Sequence, residues 1–387
     1  MNLLIAERMQ SVTPFYVMEL LQRAQELQRQ GRDIIHMEIG EPDFPTPEPI
    51  LRAGERCLRE RDIKYTPAAG LPELRQAIAE DYRRRHGVSV DWRRVFVTPG
   101  ASGALLLAFA CSVNPGETVM MADPGYPCNA NFLRLLGAEA RWVPVGAATA
   151  YQLNAALAGE YWLPRVRGVL TASPSNPAGS VLHEPELAAL IAETERRGGV
   201  YYSDEIYQGL EYGPPLPTAL SFSEQAFVIN SFSKFYGMTG WRAGWLVAPE
   251  ACAESVERLA QNLFLSTSTV AQYAALAAFA PETAPVLEAR REEFRARRDF
   301  LYAGLLRLGF SVPLPPEGAF YVYADCRAFT EDSLVFARDL LERTGVAVTP
   351  GLDFDRHAGK YHLRFAYTAS MDKMADGLTR LEKFLCR

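Results

Sequence analysis

The chain has few of the residues that build metal sites or covalent frameworks. Its six cysteines (Cys57, Cys111, Cys128, Cys252, Cys326, Cys386) are scattered over 387 residues without a CxxC pair, and its five histidines do not cluster. Such spacing favours neither a zinc site nor a disulfide framework, and fits free thiols in a reducing compartment. Long apolar runs are also missing. The most continuous, Ala104 to Ala110, is far too short to span a bilayer, and the opening Met1–Arg8 is too short an apolar run for a signal peptide. There is no excess of positive charge either. Lysine and arginine total 40 against 46 acidic residues, a net charge of −6, where a nucleic-acid surface needs a basic patch. The arginine groups Arg83-Arg84-Arg85 and Arg290-Arg291 stand among acids and read as solvated helix faces. These absences point to a cytoplasmic protein with no membrane or nucleic-acid partner.

What is present is a globular composition, 48% hydrophobic and 22% charged, in a chain long enough for two packed domains. Residues 14–31 carry apolar side chains at helical spacing and end at Gln30-Gly31, a helix stop. Ile34–Met37 reads as a strand. The two prolines and the glycine that follow, Gly40-Glu41-Pro42-Asp43-Phe44-Pro45, forbid regular structure, and we read them as a crossover between domains. From about 48 to 285, apolar strands (Val95–Thr98, Thr118–Ala122, Val166–Ala172, Val200–Asp204, Phe227–Ser231, Gly244–Val247) alternate with amphipathic helices such as Glu184–Arg197. That alternation predicts an α/β domain with a mostly parallel sheet covered on both faces. Beyond 286 a long charged helix (Val286–Leu306), strands near Ala319–Ala324 and Tyr361–Ala366, and two more helices predict a smaller α+β domain, which residues 1–47 join.

In a parallel sheet ligands sit at the carboxyl ends of the strands, and the chemistry-bearing residues fall there. Ser231-Phe232-Ser233-Lys234 follows one strand, and Arg242 lies eight residues beyond the lysine. A partly desolvated lysine beside another cation has a lowered pKa and attacks aldehydes. Two hydroxyls and a guanidinium beside it suit a phosphate. An aldehyde and a phosphate on one cofactor describe pyridoxal 5'-phosphate (PLP). Alone, Ser-x-Ser-Lys is a weak signal and more often describes an exposed loop lysine.

Asp204 ends the apolar strand Val200–Asp204, where a carboxylate is costly to bury without a cation. It suits a pyridinium N–H, or else an N-cap for residues from Glu205 onward. Tyr207 and Asn176 are candidate donors to the ring's phenolic oxygen, although an asparagine before proline is also an ordinary turn residue. The loop Val97–Gly103 joins a strand to an apolar helix, and the backbone of Ala101 and Ser102 there offers N–H groups to a phosphate or simply forms a tight turn. Tyr126 stacks on the ring or packs.

Taken together, Gly40-Glu41-Pro42-Asp43-Phe44, Tyr65–Arg75 (Tyr-Thr-Pro-Ala-Ala-Gly-Leu-Pro-Glu-Leu-Arg), Ser175-Asn176-Pro177-x-Gly179, Asp204-x-x-Tyr207, Ser231-x-Ser233-Lys234 with Arg242, and Tyr361-x-x-Arg364-Phe365-Ala366 resemble, in order and spacing, the class I aminotransferases of PLP fold type I. The resemblance runs from about residue 35 to the C-terminus. It implies a seven-stranded, mostly parallel sheet sandwiched by helices in the large domain. It also implies a Schiff base on Lys234, which later shuttles a proton, and a ring nitrogen paired with Asp204. Asn176 and Tyr207 would hold the phenolic oxygen. Ser231, Ser233, Arg242, Ala101 and Ser102 would hold the phosphate. Arg364, with Gly40 and Asn176 beside it, would grip the substrate α-carboxylate. Tyr65 would reach the phosphate of a neighbouring subunit, giving a homodimer with shared sites, with Leu265–Thr269 near that interface.

The expected reaction is amino-group transfer from an L-amino acid to a 2-oxo acid. No lysine or arginine occurs in Gln261–Gln272, where one subgroup carries the arginine that reads a distal carboxylate, and the helix after Gly103 is apolar. Both features tilt the expected donor toward neutral or aromatic amino acids, with Phe15, Tyr126 and Phe264 shaping its pocket. The same motifs also serve eliminations, as in a C–S lyase or a cyclopropane-forming synthase. A third class, regulators that fuse this fold to a DNA-binding helix-turn-helix domain, is disfavoured by the acidic charge and by a start almost directly at the first helix.

Overall fold

The computed structural model describes residues 5–12 and 15–386. Residues 1–4, at the start of the run considered for a signal peptide, and residue 14, where the first helix was expected to start, lie outside them. The first long helix is Tyr16–Arg29. Its N-terminal amides find no cap within the segment. They are taken instead by Asp353, whose carboxylate accepts from Tyr16 N at 2.8 Å and Val17 N at 2.9 Å, as helix starts require. Gly31, at φ +87°, turns the chain out of the helix. It then enters a short strand, β1 (Ile35–His36), and the irregular stretch through Pro47.

The large sheet comprises β2 (Val95–Thr98), β3 (Thr118–Asp123), β4 (Glu139–Pro144), β5 (Val166–Ala172), β6 (Val200–Asp204), β7 (Phe227–Ser231) and β8 (Gly244–Val247). Their order is β2-β8-β7-β6-β5-β3-β4. Neighbouring strands are parallel except β8, which runs against both β2 and β7. The mostly parallel seven-stranded sheet is therefore observed. Six of its strands announce themselves as apolar runs because they are buried on both faces. The seventh, β4, does not. It is an edge strand interrupted by Glu139, Arg141 and Pro144, only one of its residues is fully buried, and periodicity misses it.

Helices cover both faces and divide the apolar residues into two cores. One holds Leu74, Val97, Val169, Leu190 and Trp245. The other holds Phe96, Leu107, Phe109, Tyr202 and Leu246 around the apolar helix Gly100–Ser112. That helix carries the chain's most continuous apolar run. It is buried against the sheet, and among the described residues no helix is long and apolar enough to cross a membrane.

A second set of elements forms its own core from both ends of the chain. The 24-residue helix Ala284–Arg307, the helices Ser333–Thr344 and Met371–Leu385, and the strands β9 (Tyr321–Asp325), β10 (Val346–Ala347), β11 (Thr349–Pro350) and β12 (His362–Ala366) build it. The order β11-β12-β9 is antiparallel, and β1 pairs with β10 in parallel, tying the N-terminal segment to this unit. Leu20, Leu27, Phe294, Leu301, Phe365 and Leu378 fill its interior. Tyr207 and Leu210 reach into the same cluster from the loop after β6.

Candidate active site

A cavity of about 300 Å³ lies at the carboxyl ends of β5, β6 and β7, where the two units meet. Of the thirteen residues expected to hold the cofactor or the substrate carboxylate, all but Tyr65 line it: Lys234, Asp204, Tyr207, Asn176, Ser231, Ser233, Arg242, Ala101, Ser102, Tyr126, Gly40 and Arg364. They come from the ends of β6 and β7 and the loops after β3, β5, β6 and β7, from the start of the helix Gly100–Ser112, from the crossover segment and from β12. Tyr65 is 81% exposed on the outer surface of the same chain.

Lys234 follows the tip of β7 and turns back toward the crossover. Its Nζ donates to Gly40 O at 2.7 Å and stands 5.9 Å from the Tyr207 ring centroid and 5.6 Å from that of Phe320. Burial drives its pKa down to about 8, with Arg364 and Arg242 adding to the fall and Glu41 and Asp204 opposing it. Part of the amine population is therefore neutral and nucleophilic near neutral pH.

Asp204 terminates β6 beneath the cavity. Burial raises its carboxyl pKa to about 7, against a lowering by the Ile206 amide and by Lys234. Its one hydrogen bond within the described residues comes from Ile206 N at 3.2 Å. No helix follows it; residues 206–209 form a turn, so the helix N-cap reading is set aside. A buried carboxylate this poorly served suits a cationic N–H partner in the cavity.

The phosphate-type groups converge at one end. Ser231 Oγ donates to Ser233 Oγ at 2.9 Å and Arg242 Nη1 donates to Ser233 Oγ at 3.4 Å. Arg242 holds a left-handed backbone, φ +56°, which turns its guanidinium toward the helix start at Gly100. Glycine is the residue that suits position 100 without strain. Its φ is +70°, and a Cβ there would lie 2.6 Å from Arg242 Nη2. A Cβ on Gly244 would meet Ala101 N at 2.9 Å, so Gly244 lets the first turn of the helix settle onto β8. Two hydroxyls, a guanidinium and the amides of a helix N-terminus form a cradle for a doubly charged anion.

At the opposite end Arg364 projects from the middle of β12, buried to 3% exposure. It donates to Asn176 Oδ1 at 2.9 Å, to Glu38 O at 2.5 Å and to Thr349 Oγ1 at 3.1 Å, while its Nε has no partner. With Asn176 Oδ1 facing Arg364, the amide nitrogen of that side chain remains available to the cavity.

Several cavity residues were not anticipated from the sequence. Tyr321, on β9, packs under the Arg364 guanidinium, 4.3 Å to its ring centroid, and its hydroxyl is 2.8 Å from that of Tyr207. Glu38 is fully buried, one oxygen bonded to His36 Nδ1 at 2.7 Å and the other unpartnered. Asn129 has an unpartnered buried Oδ1, and Phe132 adds an apolar wall. The alternation of Tyr321 and Tyr323 in β9 was the one available signal. It marks a face without saying what that face meets. Phe15 and Tyr126 line the cavity and touch edge to face at 6.2 Å. Phe264 is corrected: it packs against the core around Gly100–Ser112 and does not line the cavity.

Comparison with known proteins places this geometry. The family model "Aminotransferase class I and II" matches residues 32–381. Over 376 residues, 97% of each chain, the sequence is 41% identical to a valine–pyruvate aminotransferase of Mycobacterium tuberculosis. It is 33% identical to an aspartate/prephenate aminotransferase of Thermus thermophilus, covering 99% of both. The crystal structure of an aminotransferase from M. tuberculosis, 40% identical, superposes over the full length of both chains with a TM-score of 0.96. Extent, identity and fold agree, and the chain belongs to the class I and II aminotransferases, with the type I fold.

Proposed function

We propose that the chain binds PLP through Lys234 and transfers an amino group from a neutral or aromatic L-amino acid to a 2-oxo acid in two half-reactions. The reading rests above all on one observation: a single cavity holds Lys234, Asp204 and Arg364 with an anion cradle at the far end from Arg364. The residues fit the cofactor. Asp204 has the buried, under-bonded carboxylate that a ring N–H would satisfy. The cradle of Ser231, Ser233, Arg242 and the Ala101 and Ser102 amides closes over Gly100, where a Cβ would displace the Arg242 guanidinium. When bound, PLP supplies an electron sink for the bond broken at the substrate α-carbon.

The chain's own groups supply the rest. Arg364 would hold the α-carboxylate through its guanidinium at the cavity wall, with Asn176 fixing the guanidinium plane. That anchor would point the α-carbon at Lys234, whose amine would take up the α-proton. Asp204 would keep the ring nitrogen of the bound cofactor protonated, and Tyr207 and Asn176 would hold its phenolic oxygen.

The donor preference follows from charge and surface. Lys234, Arg242 and Arg364 are the cations lining the cavity among the described residues, and each has a role above. Glu38 and Glu41 line it as well. A distal carboxylate would meet acids and the side chains of Phe15, Met18, Leu105 and Phe132, an environment in which an unpaired charge is costly. The valine–pyruvate relative agrees; the aspartate/prephenate relative shows that related chains take acids too. Both are named for transamination, which gives the elimination chemistries no support.

A homodimer with shared sites completes the reading. The cavity is open at Ser102, Tyr126 and Arg242. Tyr65, Leu58, Ile63, Leu263 and Leu265 leave large apolar side chains exposed on segments joined by bonds from Thr269 Oγ1 to Lys64 O (2.5 Å) and from Gln272 Nε2 to Thr66 Oγ1 (2.9 Å).

The decisive test is a half-reaction screen. The PLP-loaded protein is mixed with single amino acids and the visible band is followed. Loss of the band with valine, leucine or phenylalanine, and its absence altogether in Lys234→Ala, is expected. Release of ammonia without a 2-oxo acid, or a Lys234→Ala enzyme with normal turnover, overturns the reading.

A further inference from the structure

We propose that Tyr321 is a positioning residue that sets the proton affinity of the lysine-bound cofactor through the hydroxyl of Tyr207; the inference rests on the PLP reading above. Its basis is geometric. The two phenol oxygens are 2.8 Å apart and both side chains are buried, with the rings edge to face, centroids 5.8 Å apart. A hydroxyl has one proton to give. If Tyr207 spends its proton on the ring's phenolic oxygen, its own oxygen must accept, and within the described residues the partner in reach is Tyr321.

Tyr321 is held for that task from both sides. Arg364 lies over its ring at 4.3 Å, and Phe320 and Tyr207 pack against it at 4.9 and 5.8 Å. Gly40 leaves the space its hydroxyl fills, since a Cβ at position 40 would lie 1.9 Å from that oxygen. The charged and titratable groups facing the pair are Arg364 from β12, Tyr367 just beyond it, Lys234 from beyond β7, and Tyr126 from the loop after β3. Burial pushes both phenols above their ordinary range and Arg364 opposes the rise, so both hydroxyls keep a proton to donate. A phenol that accepts one hydrogen bond donates the next more strongly. Tyr321 therefore strengthens the bond from Tyr207 to the phenolic oxygen and stabilises the deprotonated form of the adduct on Lys234.

The test is a pH titration of the visible band of PLP-loaded wild type, Tyr321→Phe, Tyr207→Phe and the double variant, without substrate. Tyr321→Phe is expected to raise the apparent pKa by roughly half a unit to one unit, the differential interaction of about one hydrogen bond. Tyr207→Phe is expected to raise it further, and adding Tyr321→Phe to that background is expected to change it little. An unshifted titration in Tyr321→Phe, or an equal shift with Tyr207 already removed, overturns the inference. Failure of the wild-type protein to develop any band with PLP instead defeats the underlying cofactor reading, so the two failures are distinct.

Discussion

The hydroxyl of Tyr321 occupies the space that a β-carbon at Gly40 would need, 1.9 Å from its position. The two residues are far apart in sequence and meet in the wall of the cavity, one in the crossover and one on β9. Gly40 also accepts the Lys234 amine through its carbonyl. The glycine is thus required by a close approach.

Gly40→Ala is therefore expected to destabilise the protein by about 1–3 kcal/mol, the usual range for overpacking, and to weaken cofactor retention by displacing Lys234. Adding Tyr321→Phe relieves only part of the strain, because the ring carbon Cζ would still lie 2.9 Å from the new methyl. Denaturant midpoints of the single and double variants check this. A Gly40→Ala protein as stable as wild type would contradict it.

The Asp204 carboxyl gives a pH prediction for the cofactor-free protein. Its folded pKa, about 7, lies above the ordinary 3.8 because burial disfavours the charge. Its contribution to stability is thus fully present below the unfolded value and is lost as pH rises through about 7. Asp204→Asn stays neutral throughout. The cofactor-free variant should gain on cofactor-free wild type between pH 4 and pH 8, by at most roughly 4 kcal/mol. With PLP bound the order reverses, because the carboxylate then has a cationic partner. Thermal midpoints across pH, with and without PLP, are the measurement. A constant difference would show that Asp204 does not titrate in this range.

Arg364→Lys preserves the charge and loses the fork. Kinetics with any active donor should show kcat/KM reduced by about 30- to 100-fold, the loss of roughly 2–2.7 kcal/mol of bidentate recognition. The cofactor band should remain, since Arg364 stands at the end of the cavity away from the anion cradle. Loss of the band would place Arg364 in cofactor binding instead.

Tyr65 is 81% exposed in the single chain, so a role at the active site requires a second subunit. Mixing an inactive Lys234→Ala protein with a weakened Tyr65→Ala protein under subunit exchange should restore activity, because each hybrid dimer then contains one intact site. Hybrids verified by mass that remain inactive would exclude the shared-site arrangement.

Much of this molecule was legible before any coordinates. Six of the seven strands of the large sheet are apolar runs, and a run buried on both faces can be read without knowing its neighbours. Lys234, Asp204, Asn176 and Ser231 stand directly after such runs, where parallel sheets present their ligand sites. Edge strand β4 was not legible, because its pattern is set by solvent on one side and by Glu139 and Arg141 within it.

By itself, then, the sequence determined the α/β class, the strand ends that carry the reactive side chains and the family they resemble, since these follow from local periodicity and spacing. Only the tertiary structure decided which distant groups share the cavity. Tyr321 meets Tyr207 and Gly40, Asp353 caps the helix over the site, and Glu38 and Asn129 are left with unpartnered oxygens. Those relationships depend on how two independently packed units close on each other, and a distance across that junction has no trace in spacing along the chain.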